Sequence, residues 1–340
     1  MPEPAAHQRP LDDGRVRCEL CPHRCAIAPG RTGACRTRTN RGGRLEVDTY
    51  GRLSAAAVDP IEKKPLSHFL PGTRTFSVAS AGCNLVCPYC QNHGLSQALR
   101  AGGDTRRAGE AWTPDGIVAE AVARECASIA FTYSEPVLSF ELARDVARRA
   151  APEGVKLVFV TNGQILPEPA AQLAGWLGAA NVDLKCHDAD AYERVLGGDL
   201  DAALGAIRTF ARSGVWVEVT TLVIPGFNDG DDELARIAGT IAEVGEDVPW
   251  HVSRFHPDHR WNDRPVTPLE TLARAVEIGG RAGLRYVYAG NVPGHGREKT
   301  RCPGCGEVVI DRVGYRVARA TTRQGRCPRC GEAIAGRGLP

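Results

Sequence analysis

The sequence predicts an α/β protein built on a parallel sheet, with a small cysteine-rich module at each end of the chain. Strand and helix segments alternate over some 200 residues, which implies a parallel sheet. Several of these strands are near-continuous apolar runs, as expected when both faces of a sheet are covered. Eleven of the thirteen cysteines fall into three clusters, one inside the sheet region and one on either side of it.

Composition shifts and turn residues divide the 340 residues into four segments. Residues 1–14 are predicted to form a disordered arm, and residues 15–74 a cysteine-rich module with a turn-rich connecting segment. Residues 75–296 are predicted to form the α/β domain, and residues 297–340 a small C-terminal module. This length suffices for one large domain plus small modules.

Apolar runs separated by Gly, Pro and capping residues define the elements of the α/β domain. Strands are predicted at 76–79, 128–132, 155–160, 180–184, 215–223, 250–255 and 286–288, and helices at 138–150, 168–177, 201–212 and 231–244. Two further helices carry start signals. Thr113 followed by Pro114 predicts an N-cap and a first turn, and residues 267–270 have the pattern of a capping box.

The most informative motif is formed by Cys83, Cys87 and Cys90, with the spacing C-x3-C-x2-C. A 4Fe–4S cluster has four irons, and thiolates normally ligate all of them. Three close thiolates without an obvious fourth leave one iron open, and an open iron can chelate the amino and carboxylate groups of S-adenosylmethionine. The alternative is a zinc site, for which His93 could supply a fourth ligand.

Polar residues stand where successive predicted strands end. Because parallel sheets place ligands at the carboxyl edge of their strands, these residues are expected to line one mouth. S-adenosylmethionine presents an ammonium, a carboxylate, ribose hydroxyls and a sulfonium, which a ring of Glu, Asn, Asp, Lys and His complements. The candidate residues at the strand ends are Glu135, Asn162, Asp183, Lys185 and His256.

On these motifs the chain resembles the radical SAM superfamily, in the branch that contains pyruvate formate-lyase activating enzymes. Within this branch it is most similar to the AmmeMemoRadiSam system radical SAM enzymes (AmrS). The resemblance covers nearly the whole chain, and it rests on residues 18–22, 59–65, 87–92, 181–185, 253–257 and 290–295. It implies an open (β/α)6 partial barrel.

The resemblance also implies roles for the matched residues. Tyr89 takes the aromatic place beside the adenine, and Glu135 stands where superfamily members bind the methionine amino group. The usual Gly-Gly-Glu is replaced by residues 133–135, Tyr-Ser-Glu, in this sequence. Asp183 and Lys185 match residues near the ribose and the methionine carboxylate.

Two further positions are carried over in the same way. Ile224 begins a segment that matches the one backing the adenine, and His256 matches a histidine near the ligand in activating enzymes. The Glu135 carboxylate would complement the ligand's ammonium and the Lys185 ammonium its carboxylate, and such charge-assisted contacts are short and strong.

The implied activity is that of a radical SAM enzyme, oxidoreductase-like, which uses a 4Fe–4S cluster to cleave S-adenosylmethionine reductively. The 5′-deoxyadenosyl radical then abstracts hydrogen from an unidentified substrate. Implied partners are an electron donor such as flavodoxin or ferredoxin, together with Memo-type and AMME-type proteins. Two alternatives stay open, a glycyl-radical-enzyme activase of the pyruvate formate-lyase activating type and a non-catalytic zinc-ribbon protein for nucleic-acid binding or assembly.

The C-terminal cysteines Cys302, Cys305, Cys327 and Cys330 form two C-P-x-C-G knuckles. Two C-x2-C pairs at this spacing predict a structural zinc ribbon. A rubredoxin-like iron site is the alternative, because sulfur ligands alone do not select the metal.

The N-terminal cysteines Cys18, Cys21, Cys25 and Cys35 have the spacing C-x2-C-x3-C-x9-C. Four thiolates within eighteen residues can hold zinc or an auxiliary iron–sulfur cluster. The sequence favours zinc only slightly, and the iron and zinc content per chain would decide between them.

Charge and hydropathy exclude several classes of function. The formal net charge is +2, which gives no global electrostatic reason to expect a nucleic-acid or membrane partner. No stretch approaches the ~18 apolar residues of a spanning helix, and the N-terminus lacks the pattern of a signal peptide. A cytoplasmic location is therefore expected, where thiols stay reduced and clustered cysteines act as metal ligands.

Overall fold

The computed structural model describes residues 3–105, 108–292 and 296–339. Its strands are β1 (Glu3–Pro4), β2 (Gln8–Pro10), β3 (Val16–Cys18), β4 (Ala26–Ile27), β5 (Arg38–Arg41), β6 (Arg44–Val47), β7 (Arg52–Leu53), β8 (Ala55–Pro60), β9 (Arg74–Ala79), β10 (Glu110–Ala111), β11 (Ser128–Phe131), β12 (Lys156–Thr161), β13 (Leu177–Asp183), β14 (Trp216–Val223), β15 (Trp250–Arg254), β16 (Val287–Gly290), β17 (Thr300–Arg301), β18 (Val308–Val313) and β19 (Arg316–Ala320). Its helices are α1 (His93–Ser96), α2 (Pro114–Ala123), α3 (Phe140–Ala150), α4 (Pro167–Ala174), α5 (Ala189–Ala191), α6 (Leu200–Arg212), α7 (Asp231–Val244) and α8 (Leu269–Arg281), with 3₁₀ turns at Ile61–Lys63 and Pro136–Ser139 and a π-helical turn at Tyr192–Leu196.

An eight-stranded sheet forms the centre of the fold, in the order β16-β15-β14-β13-β12-β11-β9-β8. Seven neighbouring strands run parallel, which confirms the predicted parallel sheet. β8 adds an antiparallel edge beside β9. The sequence predicts a turn-rich connecting segment before residue 75 and does not indicate β8, because an edge strand that begins with three alanines and is half exposed lacks the apolar alternation of a buried strand.

The helices pack on the sheet around a continuous apolar core, which includes Phe131 and Phe159 of neighbouring strands with ring centroids 5.6 Å apart. Thr113 caps α2 as predicted, since its side chain accepts a hydrogen bond from the Gly116 N–H at 3.0 Å.

The predicted capping box at residues 267–270 is wrong. α8 begins at Leu269 with Pro268 at the N-cap and no side-chain cap. The Thr267 hydroxyl instead donates to the Val223 carbonyl at 2.6 Å and accepts from the Phe255 N–H at 3.0 Å. A tertiary role at two strand ends has therefore displaced the local capping role that the sequence suggests.

The N-terminal segment is ordered, which corrects the predicted disordered arm over residues 1–14 within the part described. β1 pairs with β6 and β2 pairs with β3, so the arm's backbone groups find partners in neighbouring strands. Ala5 is buried, and the Ala6 N–H donates to the Glu141 carboxylate at 2.8 Å. Glu141 also receives both Arg38 Nη atoms at 2.9 Å, in a buried bidentate pair that joins the N-terminal module to α3.

The C-terminal module is a small antiparallel sheet of β17, β18 and β19 that docks on the α/β domain. Arg312 of β18 is buried, and it donates to the Ser67 carbonyl at 2.6 Å and to the Thr300 hydroxyl at 2.8 Å. Its guanidinium also lies 3.4 Å from the Glu62 carboxylate. Within the described ranges, no helix has the length and apolar composition needed to cross a membrane.

Candidate active site at the carboxyl edge of the sheet

A cavity of about 320 Å³ opens at the carboxyl edge of the parallel strands. The structure brings together around it eight of the ten residues predicted to bind the cluster or the cofactor. These are Cys83, Cys87, Tyr89, Cys90, Glu135, Asn162, Asp183 and Lys185. The parallel topology explains this convergence, since these residues lie at or after the carboxyl ends of four neighbouring parallel strands, β9, β11, β12 and β13.

The other two predicted residues lie elsewhere. Ile224 is fully buried and is not among the described residues that line the cavity, whereas Thr220 and Leu222 of the preceding strand do line it. His256 is exposed and lines an adjoining cavity, which shares Asn291 with the first.

The cysteine loop follows β9 and is held by close backbone packing. Gly82 has φ +114°, and a Cβ atom there would lie 2.7 Å from the Thr37 methyl group, so only glycine fits. The Cys83 sulfur accepts from the Leu85 N–H at 3.3 Å and from the Asn162 amide at 3.6 Å. These donors would stabilise a thiolate and orient it towards the cavity.

Burial works against a free thiolate at this loop. It raises the pKa of the Cys87 thiol to about 11 and that of Cys83 well above its usual range. A bound iron reverses this effect because coordination deprotonates the thiol. Within residues 3–105, 108–292 and 296–339, these three sulfurs do not form a group within 4.8 Å of one another, as ligands of a single zinc ion would. The donor set therefore fits a multi-iron cluster rather than one zinc ion.

Glu135 is buried beside the cysteine loop, and three donors hold its carboxylate. They are the Thr161 hydroxyl at 2.7 Å, the Asn162 N–H at 2.9 Å and the Val137 N–H at 3.0 Å. Burial nevertheless raises the pKa of Glu135 to about 7, against the lowering effect of these donors. A cation that enters the cavity beside this carboxylate would restore its charged form.

Lys185 and Asp183 follow β13 and face the same cavity, with the ammonium 3.0 Å from the carboxylate. Burial alone would lower the pKa of Lys185, but the negative charge of Asp183 holds it well above its usual range. The Lys185 carbonyl accepts from the Asn228 amide at 2.7 Å, which fixes the backbone. The pair thus presents a fixed cation and an anion across the cavity from Glu135.

Tyr89 lies in an aromatic group rather than facing solvent. Its ring is 5.3 Å from that of Trp261 and 6.0 Å from that of Phe227. The Arg264 guanidinium stacks on Trp261, 3.6 Å from the ring centroid. The Tyr89 ring also lines the cavity, so it presents a flat aromatic surface beside the cysteine loop.

A charged cluster lies in residues 59–68, a segment that the sequence suggests is a loop beside the mouth. Asp59 accepts from the Lys63 ammonium at 2.8 Å, from the Lys64 ammonium at 2.7 Å and from the Tyr133 hydroxyl. Lys64 is buried, and this lowers the pKa of its ammonium to about 8. From the sequence alone, the charged residues at 62–64 are as compatible with a solvated loop as with a contact to the substrate. They nevertheless lie within the motif at residues 59–65.

Tyr133 connects this charged cluster to the backbone that lines the cavity. Its φ is +66°, a left-handed conformation that favours glycine, and it stands where the superfamily motif has glycine. The strain is offset by the hydroxyl contact with Asp59 and by the Lys64 ammonium, 4.3 Å from the ring centroid. The Tyr-Ser-Glu sequence therefore keeps a glycine-like backbone while adding a side chain to the mouth.

The C-terminal module also contributes to the mouth, which the sequence did not indicate. Tyr315, in the turn between β18 and β19, lines both the main cavity and the adjoining one. Val313 and Tyr315 are about half exposed or more, unlike most large apolar side chains of the fold. This hairpin tip is therefore the part of the module that reaches the mouth of the cavity.

The four C-terminal cysteines converge as predicted for a single metal ion. Their sulfurs all lie within 4.8 Å of one another, with Cys302 and Cys330 3.5 Å apart and Cys305 and Cys327 3.7 Å apart. Tetrahedral ligation with metal–sulfur bonds of about 2.3 Å gives sulfur separations of about 3.8 Å. The quartet can therefore bind one metal ion.

Comparison with known proteins agrees with this site. The family model of the radical SAM superfamily matches residues 77–238, which contain the cysteine loop and the strand ends up to β14. An uncharacterized protein of Methanocaldococcus jannaschii is 42% identical over 303 residues, covering 89% of each chain. The pyruvate formate-lyase 1-activating enzyme of Escherichia coli K12 is 24% identical over 201 residues, which cover 56% of this chain and 78% of that enzyme.

Among solved structures, a radical SAM methyltransferase from Sphaerobacter thermophilus shares the fold. The TM-score is 0.50 at 19% sequence identity, over 65% of this chain and 67% of the methyltransferase. Together with the cysteine loop and the cavity at the sheet edge, these matches identify the chain as a member of the radical SAM superfamily, related to the pyruvate formate-lyase activating enzymes and itself an enzyme.

Proposed function

We propose that this protein is an AmrS-type radical SAM enzyme that abstracts a hydrogen atom from a substrate held at the mouth of the main cavity. The observation that carries the proposal is the convergence of Cys83, Cys87 and Cys90 with Glu135 and Lys185 on one cavity. When bound, the 4Fe–4S cluster and S-adenosylmethionine supply a 5′-deoxyadenosyl radical by one-electron reductive cleavage.

The chain's own residues bind and orient these groups. The three cysteines would hold the cluster, and the Glu135 carboxylate would accept hydrogen bonds from the ligand's ammonium. Lys185 would pair with the ligand's carboxylate, and Asp183 would bind the ribose. Leaving either buried charge unpaired would be costly. Burial already raises the pKa of Glu135 to about 7, and Lys185 already pairs with Asp183.

The substrate side of the cavity is formed by residues outside the predicted cofactor set. Lys63, Tyr133 and Tyr315 line the mouth, and they come from the segment before β9, the end of β11 and the C-terminal hairpin. We infer that the substrate enters between these three side chains. The C-terminal module thereby acts as part of the substrate site, with a structural zinc ion bound by its four cysteines.

The resemblance supplies the remaining expectations. An external one-electron donor of the flavodoxin or ferredoxin class reduces the cluster, and Memo-type and AMME-type proteins act with the enzyme. The thirteen free thiols fit a reducing cytoplasm.

A second candidate function is glycyl-radical activation, which the likeness to the pyruvate formate-lyase 1-activating enzyme favours. A glycyl EPR doublet on an added partner protein would distinguish this function from the first.

The direct test is release of 5′-deoxyadenosine from anaerobically reconstituted protein after dithionite reduction. Cys83→Ala, Cys87→Ala and Cys90→Ala should each abolish release, whereas Cys126→Ala should leave it unchanged, because Cys126 lies at the end of α2, outside the residues that line the cavity. Release by any of the first three variants at the wild-type rate would contradict the assignment of the ligands.

Glu135→Gln tests the binding role separately from the cluster. Loss of one charge-assisted contact should weaken S-adenosylmethionine binding by about 10- to 100-fold, measured by equilibrium binding to the reconstituted protein. Iron content should stay at the wild-type value. Glu153→Gln, on the exposed turn after α3, is the matched control and should bind normally.

A further inference from the structure

We propose that the N-terminal module holds a second 4Fe–4S cluster, ligated by Cys18, Cys21, Cys25 and Cys35, directly beside the radical-generating cluster. The main cavity does not use these cysteines, and the sequence leaves them open between zinc and iron–sulfur. Superfamily membership requires one cluster, and nothing in the activity proposed above requires this second one.

The four thiols line one small cavity, which has room for about one water molecule. Cys18, Cys21 and Cys35 are buried, and Cys25 is half-buried. The turn that brings them together is closed by the Cys18 N–H to the Cys25 carbonyl at 2.9 Å and by the Arg24 N–H to the Cys21 carbonyl at 3.1 Å. Apolar side chains, including those of Leu20, Ile27 and Leu138, complete the walls.

The spacing of these sulfurs does not suit a single zinc ion. In a tetrahedral zinc site four thiolates lie about 2.3 Å from the metal and leave no room for water between them. The C-terminal quartet has that compact geometry, with all sulfurs within 4.8 Å of one another. Within the described part of the chain, no three of the N-terminal sulfurs meet that limit, and they enclose a cavity instead. A four-iron cluster spans this wider separation.

Arg38 supplies a second, independent indication of a bound group. Its side chain lines the cysteine cavity and is 1% exposed, and its two Nη atoms pair with the Glu141 carboxylate. Its Nε–H has no hydrogen-bond partner in the described structure. Buried donors are almost always satisfied, so an unpartnered guanidinium N–H at this cavity indicates an acceptor such as a cluster sulfide. Its positive charge also complements four thiolates.

The two cysteine sites are joined by short contacts. His23, which lines the N-terminal cavity, contacts the Asn84 carbonyl at 2.7 Å through Nε2. The Asn84 side chain accepts from the Asn162 amide at 2.9 Å, and the same amide donates to the Cys83 sulfur at 3.6 Å. The second cluster can therefore accept one electron from an external donor of the flavodoxin or ferredoxin class and pass it to the cluster at Cys83.

The test is the metal content and EPR of anaerobically reconstituted full-length protein. Wild type should contain about eight irons per chain, and the triple variant Cys83→Ala/Cys87→Ala/Cys90→Ala should retain about four. Adding Cys18→Ser and Cys21→Ser to that variant should remove the remaining iron, whereas adding Cys126→Ser should not. In reduced wild type, two neighbouring paramagnetic clusters should broaden each other's EPR signals relative to each single-cluster variant.

The triple variant decides the question even if the N-terminal variant fails to fold, since its N-terminal module is unchanged. A triple variant without iron but with two zinc ions per chain would overturn the proposal. The proposal would also be overturned if wild type contained about four irons per chain and the triple variant of Cys83, Cys87 and Cys90 contained none. In that second case wild type could still release 5′-deoxyadenosine, so failure of the second cluster is distinguishable from failure of the proposed function.

Discussion

Arg312→Met should separate the C-terminal module from the mouth of the active site. Arg312 is 2% exposed and donates at 2.6 Å to Ser67 and at 2.8 Å to Thr300, beside the Glu62 carboxylate at 3.4 Å. Methionine keeps the length of the side chain but removes every donor. The change therefore breaks a buried network that spans the two parts of the chain.

The expected loss of stability follows from the Glu62 carboxylate, which Arg312→Met leaves buried without its partner. Removing one partner of a buried ion pair costs about 3–5 kcal/mol. Burial already raises the pKa of Glu62, so that carboxyl can take up a proton once Arg312 is gone, and the cost should lie near 3 kcal/mol. Adding Glu62→Gln to Arg312→Met should recover part of it, because the unpaired charge is then absent.

The assay is the free energy of unfolding from urea titration of the metal-loaded protein, with limited proteolysis to detect release of the module. The matched control is Arg316→Met on the neighbouring strand, where an exposed arginine should cost less than about 0.5 kcal/mol. Equal stability of the Arg312 and Arg316 variants would refute the reasoning.

Three further predictions concern the cavity mouth, acid stability and the C-terminal metal. Tyr315→Ala should leave 5′-deoxyadenosine release near the wild-type rate. It should accelerate oxygen bleaching of the cluster several-fold, because the Tyr315 side chain narrows the mouth of the cavity. An unchanged rate of bleaching would contradict this prediction. His68 is buried, and burial lowers its pKa to about 4. The unfolded chain therefore binds the proton more readily than the folded chain between about pH 6.5 and 4. The free energy of unfolding should consequently fall by about 1.4 kcal/mol per pH unit as the pH drops through that window. Urea titrations at pH 7, 6 and 5 check it, and a slope that His68→Gln does not flatten would count against it. Cys305→Ser combined with Cys327→Ser should lose one zinc per chain while iron content is unchanged; a matching loss of iron instead would indicate a rubredoxin-like site.

The elements that could be predicted from the sequence are those specified by local signals. Buried parallel strands such as β12 and β14 are apolar runs bounded by turn residues, so their positions follow from a few neighbouring residues. Their polar strand-end residues then meet at one edge by topology alone, which is why Glu135 and Lys185 could be placed in the same site before the structure was known.

The elements that could not be predicted depend on distant partners. Lys64 belongs to a charged run that suggests a solvated loop, yet it is buried because Asp59 and Tyr133 neutralise and cover its ammonium. The residues of β8 acquire their strand conformation only by pairing with β9. Nothing near Tyr315 in the sequence reveals that the hairpin tip reaches a cavity lined by residues between Lys63 and Asn291.

The buried Arg312–Glu62 contact has a consequence for how the mouth is organised. Glu62 lies in the 3₁₀ turn Ile61–Lys63, and Lys63 and Lys64 of the same segment bind Asp59, which in turn accepts from the Tyr133 hydroxyl. These contacts connect the C-terminal module, through one short segment, to the residue that precedes Ser134 and Glu135. Because Tyr133 holds a left-handed backbone that its contact with Asp59 stabilises, loss of that contact would release the strain where the cofactor's ammonium is expected to bind.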